Sequence, residues 1–350
     1  MDAILLKAGS LMLIIAIGYG IKRRGWVSAS DFPIFSNIVL RITLPCALAV
    51  SFDTFVLTPA LLFIAVGAFV VNLVQEVAGF LLGRRHGRAA QAFGVLNIGG
   101  FNIGLFAMPY LAGMLGPQAI AYAIIFDVGN TLAAAGVGYA WGMSLSQPER
   151  RASLLGFLRQ IVRSPLFVTY LFLLVLGAFH LHLPRAVISF ATIVGGANTF
   201  LAMLMIGIGL EIALPSHKYL AAARHLGLRY ALATVFAVVV WWMPLDHFVR
   251  VVLCMLLFAP LPSMTAGFTA EAKNDVELST FITSLSIVIG IVVMPLILVA
   301  LGRWLDPVAD GGWQDPLYTV LLAFSLDGTF LTSQPPNPVT GSASLKPGSK

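Results

Sequence analysis

Charge is what this sequence has least of. Its 350 residues carry 21 basic and 15 acidic side chains, 10% in all, against about 25% in an ordinary soluble domain. Hydrophobic residues take up the difference at 59%. No soluble fold of this length hides that much apolar surface, so the chain reads as a polytopic membrane protein. Cysteine is nearly absent. Cys46 and Cys254 each sit inside an apolar run and read as small buried hydrophobes, not as a disulfide. The motifs of common enzyme classes are missing too: no zinc-protease helix motif, no Gly-x-Ser-x-Gly elbow, no Walker loop. His180 and His182 form only a pair, and His86, His217, His225 and His247 are scattered. No enzyme activity, metal or cofactor is expected.

The formal charge of +6 does not point to nucleic acid, because the basic residues fall in short clusters between apolar runs. That pattern reports membrane topology. Asp2 opens the chain and Lys22, Arg23 and Arg24 follow the first apolar run. This is the reverse of a secretory signal, so the segment reads as a first helix that is retained.

Ten apolar spans can be drawn, at about 3–21, 33–52, 59–82, 90–114, 118–142, 163–181, 186–213, 227–245, 248–271 and 277–302. Most reach the roughly 20 residues that cross a bilayer. The odd connections hold the basic residues: Lys22 to Arg24, then Arg84, Arg85 and Arg88, then Arg150, Arg151, Arg159 and Arg163, then Lys218, Arg224 and Arg229, then Lys273. The even ones hold only Arg185 and Arg250. This places the odd loops in the cytoplasm and both termini outside. The expected fold is all-α, with ten transmembrane helices as two inverted five-helix repeats, since an odd count per half reverses the second half. The first repeat is 1–142, a cytoplasmic linker 143–162, the second repeat 163–302, and an extracytoplasmic, largely disordered tail 303–350. Pro335-Pro336-Asn337-Pro338 in that tail suits no packed helix. The run Trp313 to Phe324 is too short to span.

One stretch makes a poor membrane helix. From Gly94 to Pro109, four glycines, Asn97, Asn102 and a proline occupy sixteen residues. A second interruption lies at Pro260, Pro262, Ser263 and Thr265. Irregular backbone at membrane depth is tolerated only inside protein or beside water. Broken spans at corresponding places in two halves point to a transporter's binding site. Crossing half-helices aim their positive N-terminal ends at one point, which suits a carboxylate. Asn97, Asn102, Ser263 and Thr265 are candidate hydrogen-bond partners there, with Pro109, Pro260 and Pro262 shaping the breaks. Asn198, in the Gly195-to-Thr199 run of span 7 that stands where span 2 has Pro45, is a further substrate-binding candidate.

Ionisable residues inside spans are candidates by default. Asp127, near mid-depth in span 5 with Asn130 on the same face, is the candidate for proton coupling. Arg41 in span 2 is a fixed cation that could bind the substrate carboxylate or pair with Asp127. Glu76 in span 3 reads equally well as a structural pair, and Glu211 as interfacial.

In order along the chain, several features resemble the auxin efflux carrier family, which includes plant auxin carriers and bacterial carriers of small dicarboxylates. They are Asn37 with Leu44-Pro45; Asn102-Ile-Gly-Leu followed by Pro109; Pro260 with the run to Glu271 and Asp275; and Thr283-Ser284-Leu-Ser286 through Pro295. The resemblance spans about residues 3–302. It implies unwound spans 4 and 9 crossing at mid-membrane in a transport domain with spans 3, 5, 8 and 10. Spans 1, 2, 6 and 7 would form a scaffold that mediates dimerisation. The chain departs from the family at Asn198-Thr199, where a proline is common, at Arg163-Ser164-Pro165, where Asn-Pro is usual, and at Phe106-Ala107, which precede Pro109 as extra residues. The expected function is secondary transport of a small organic anion across a bacterial inner membrane by alternating access. A sodium-coupled organic-anion symporter similar to bile-acid carriers, or a non-transporting sensor, stands as the alternative.

Overall fold

The computed structural model describes residues 2–52, 61–147, 149, 165–179, 181–210 and 216–301. The expectations for Glu211, for most of the linker and for the tail lie outside the described residues. Among these residues all regular structure is helical, and seven helices are long and apolar enough to cross a membrane. α1 is Asp2–Arg23. α2 joins Phe32–Ile38, a π-helical turn Val39–Thr43 and Leu44–Phe52. α3 is Leu61–Gly83. α4 has two halves, Arg88–Ile98 and a π-turn Ile103–Ala107 running into Met108–Leu115. α5 joins Pro117–Thr131, a third π-turn Leu132–Gly138 and Tyr139–Ser146. α6 is Pro165–Ala178, shorter than a full span. α7 runs through Arg185–Gly196 and Asn198–Gly209. α8 is Tyr219–Trp241. α9 has halves His247–Leu257 and Thr265–Glu271, and α10 is Val276–Leu301.

The helices are inside-out by soluble standards. On α3, Leu62, Phe63, Val66, Val70, Val74, Val77 and Leu81 are exposed, while Asn72, Gln75 and Glu76 are buried. Lipid accepts the first set, and only protein can accommodate the second. Small residues set the crossings. A Cβ at Gly79 of α3 would strike the carbonyl of Gly94 in α4, and one at Gly18 of α1 the carbonyl of Leu204 in α7. Backbones approach this closely only across glycine. The Lys22 ammonium, at the end of α1, caps the Leu210 carbonyl at the end of α7.

Two prolines are accommodated in the same way. Pro45 and Pro109 each come two residues after a π-turn, Val39–Thr43 and Ile103–Ala107. Proline offers no N–H and crowds the preceding turn, and a wider turn just upstream relieves both problems. Phe106 and Ala107 lie inside the second of these turns. Its closing bond runs from the Ala107 N–H to the Asn102 carbonyl at 3.0 Å.

One boundary needs correction. Span 8 was expected at 227–245, but α8 starts at Tyr219. Helix-forming alanines at 221–223 extend it past the basic residues. Arg229 therefore lies in the body of a helix, 1% exposed, not in a cytoplasmic loop.

Candidate functional site

α4 stops at Ile98 because Gly99 is extended and Gly100 takes φ +86°. Only glycine adopts that angle without penalty. The position is also crowded, since a Cβ on Gly100 would lie 2.8 Å from Cγ of Pro262. α9 stops where Pro260 and Pro262 withhold two N–H donors and bias the preceding residues away from helix.

The two breaks are in contact. The Asn102 N–H donates to the Pro260 carbonyl at 2.7 Å. The Asn102 side-chain amide donates to Ser263 Oγ at 3.1 Å. Asn102 is buried, whereas Ser263 and Met264 beside it are exposed.

The freed backbone groups are met by side chains from surrounding helices, as burial demands. Asn130 of α5 clamps Phe101, accepting from its N–H and donating to its carbonyl, both at 2.9 Å. Asn72 of α3 accepts from the Gly100 N–H at 2.7 Å. Ser286 of α10 accepts from the Leu261 N–H at 2.9 Å. Arg229 of α8 forks to both breaks. One terminal nitrogen donates to the Ile98 carbonyl at 2.5 Å and the other to the Ala259 carbonyl at 2.9 Å. Its guanidinium lies 4.8 Å from the centre of the Phe101 ring, within cation–π range. The Ile98 carbonyl closes the first half of α4, where the helix dipole leaves partial negative charge, and Ala259 lies in the break two residues past the first half of α9. Among the described residues Arg229 has no ion pair with a carboxylate.

The expected site residues separate into groups. Asn102, Pro260, Pro262 and Ser263 come together at the crossing, and Thr265 is buried at the start of the next half-helix. Asn97 faces the other way. It donates to Thr269 at 3.0 Å and accepts from Ser279 at 2.6 Å, pinning α4 to α9 and α10. Asn198 is apart, bonded to Thr43 of α2 at 2.9 Å. Pro109 is buried on the second half of α4, its carbonyl accepting from Thr199 at 3.2 Å. Arg41 is exposed and bonds to Asn37 at 3.1 Å, so it neither joins the crossing nor pairs with Asp127. The partners of Asp127 are Asn130 at 2.7 Å and the hydroxyl of Tyr170 on α6 at 2.8 Å.

Arg229, Asn72, Ser286 and Tyr170 are not among the site residues expected from the sequence. For Arg229 a signal existed: the alanine-rich helix former upstream of it. For the others, residue type in an apolar helix gives no hint of which neighbour the side chain faces.

No protein-family model matches the chain. Over 302 residues, 82% of this chain and 95% of the relative, it is 25% identical to a protein of Methanothermobacter thermautotrophicus designated an uncharacterized transporter. This chain is a membrane protein similar to a transporter.

Proposed function

We propose that the chain is a secondary carrier for a small organic anion, working by alternating access around the crossing of α4 and α9. The observation that carries this reading is the meeting of two helix breaks. Asn102 bonds to both Pro260 and Ser263 there, and Arg229 spans the carbonyls of Ile98 and Ala259. Such a crossing gathers hydrogen-bond donors and one fixed positive charge close to the exposed Ser263. A carboxylate fits that chemistry. Similarity to a transporter over most of both chains supports the coarser part of the reading.

In this proposal ten spans form two inverted halves in a bacterial inner membrane, both termini outside, and the protein works as a homodimer. The pattern of contacts supports the repeat: α3 packs on α4 and α5, and α8 packs on α9 and α10. Asp127 is the proposed coupling carboxylate. Its bond to Tyr170 joins α5, in the moving body, to α6, in the scaffold. The sodium-coupled alternative requires a cation at exposed half-helix carbonyls. Arg229 already occupies the carbonyl that ends the first half of α4 and one in the break of α9, which favours a carrier that needs no sodium there.

The test is thermal stability of the purified protein across a panel of small mono- and dicarboxylates, with Asn102→Ala beside wild type. Binding to the native state raises stability by mass action. A stabilising acid whose effect is lost in the variant supports the reading. No response to any acid, together with no flux of the panel into proteoliposomes under imposed gradients, overturns it.

A further inference from the structure

Glu76 of α3 is 1% exposed, and neither of its carboxyl oxygens has a hydrogen-bond partner. It lies seven residues before the end of α3 at Gly83, roughly 10 Å along the helix, too deep and too enclosed to snorkel. Its side chain fills a slot made by two glycines. A Cβ on Gly99, the first residue of the α4 break, would lie 2.8 Å from its Cγ, and one on Gly138 of the α5 π-turn 2.7 Å from its Cδ. The chain therefore gives room to this carboxyl and supplies no donor to it. An ionised carboxylate taken from water into such surroundings is prohibitively unstable unless a cation accompanies it.

The groups facing the slot do not provide that cation. The first half of α4 has only Arg88, at its far end. On α5, Asp127 is engaged with Asn130 and Tyr170, and the Tyr139 hydroxyl donates to Glu271 at 2.6 Å. On α8, His225 bonds to the Ala221 carbonyl, and Arg229 is committed to Ile98 and Ala259. Arg84, Arg85 and His86, beyond the end of α3, are exposed. Nor do several carboxylates gather there for a divalent metal: no group of three His, Cys, Asp or Glu residues comes together among the described residues.

We propose that Glu76 is a proton-binding site built into the wall of the crossing, loaded in the conformation described here and emptied when the Gly99 wall moves. In loading, a proton from water bonds to a lone pair of one carboxylate oxygen and yields a neutral carboxyl. In release, the same O–H bond breaks, the electron pair stays on oxygen and the proton returns to water. One proton moves per cycle and nothing is oxidised or reduced. Gly99 is shared by the slot and the break, so any rearrangement of the break on binding an anion alters the slot. The role in coupling rests on the carrier reading; the proton site itself does not.

Two measurements on the full chain, made without substrate, separate these. The first is thermal stability of wild type and Glu76→Gln from about pH 5.5 to about pH 8.5. A proton held by the folded chain and released on unfolding makes wild type lose stability as pH rises. The neutral amide removes that loss. The variant should gain on wild type by several degrees over the range, equally in sodium chloride and choline chloride. A difference that stays constant with pH overturns the proposal, and so does a sodium-specific stabilisation of wild type that the variant lacks. The second needs no variant. The membrane-permeant dicyclohexylcarbodiimide adds to protonated carboxyls, so peptide mapping at neutral pH should find the adduct at Glu76, fading as pH rises. An unlabelled Glu76 in wild-type protein overturns the assignment even if Glu76→Gln does not fold.

Discussion

The guanidinium of Arg229 donates to the carbonyl of Ile98 at 2.5 Å, with its second arm on Ala259 at 2.9 Å. One side chain thus ties the end of one half-helix and the break of another to a third helix. Arg229→Met should remove two charge-assisted bonds and leave two buried carbonyls unpartnered, a loss of about 3–5 kcal/mol. Arg229→Lys keeps the charge but is a point donor without a fork. It should recover part of the stability and little of the geometry. Thermal unfolding of the three proteins checks the order wild type, Lys, Met. A Met variant as stable as wild type would show that the fork contributes nothing.

Asn97 and Asn102 lie five residues apart and should behave differently. Asn97 is buried against Thr269 and Ser279, so Asn97→Ala removes two cross-helix bonds, although the two hydroxyls still bond to one another, and should cost about 1–3 kcal/mol. The Asn102 side chain reaches only the exposed Ser263, where water can replace the lost amide. Asn102→Ala should change unfolding by about 1 kcal/mol or less and be felt in ligand binding. Parallel melting curves and binding isotherms test the contrast, and a reversed order would mean that the two amides have exchanged roles.

That contrast also shows how much the sequence could tell. Glycine, proline and asparagine in an apolar run announce broken helices, because backbone sterics are local. The breaks at 99–102 and 258–264 were legible for that reason. Which way Asn97 points is not local; it depends on Thr269 and Ser279, far along the chain. Arg229 was misplaced because a basic residue near a predicted loop is ordinarily a topology marker. Its real environment consists of two main-chain carbonyls and a phenyl face, which leave no trace in residue type. Arg41, chosen for depth alone, is exposed, because depth along a helix says nothing about which face a side chain occupies.

Asp127 accepts from Tyr170 across α5 and α6 at 2.8 Å. If α5 moves against α6 during transport, this bond breaks and re-forms in each cycle. Tyr170→Phe deletes it without changing shape. Substrate exchange in proteoliposomes should change in rate with little change in apparent affinity. Asp127→Asn should retain exchange and lose accumulation driven by a pH gradient. Accumulation surviving in Asp127→Asn would remove this carboxylate from coupling.

Outside the spans, Lys218 bonds to Glu277 at 2.7 Å and to Asp275 at 2.9 Å, fastening the start of α8 to the start of α10. Bonds to Glu277 and then Asp275 hold the lysine above its ordinary range. Its contribution is therefore complete at neutral pH and lost as pH rises through and beyond about 10.4. Burial works against the Asp275 carboxylate, but the bonds from Lys218 and the Leu278 N–H outweigh it and hold the group below its usual range. That contribution is present above about pH 3.9 and lost on acidification. Lys218→Met should lower the melting temperature by no more than about 2 °C. The difference should shrink in high salt and at both extremes of pH.

Gly100 faces two separable constraints, its φ of +86° and the Pro262 ring. Gly100→Ala meets both, the left-handed angle alone costing about 1–2 kcal/mol. Pro262→Ala removes the ring without touching the angle. If steric contact between the breaks sets the crossing, the double variant should be more stable than Gly100→Ala alone, with the angular cost remaining. If the two effects simply add, the residues do not couple. In that case the crossing is held by the Asn102 to Pro260 bond and by Arg229, not by the fit of the proline over glycine. Melting temperatures of the wild type, the two single variants and the double variant distinguish the two outcomes.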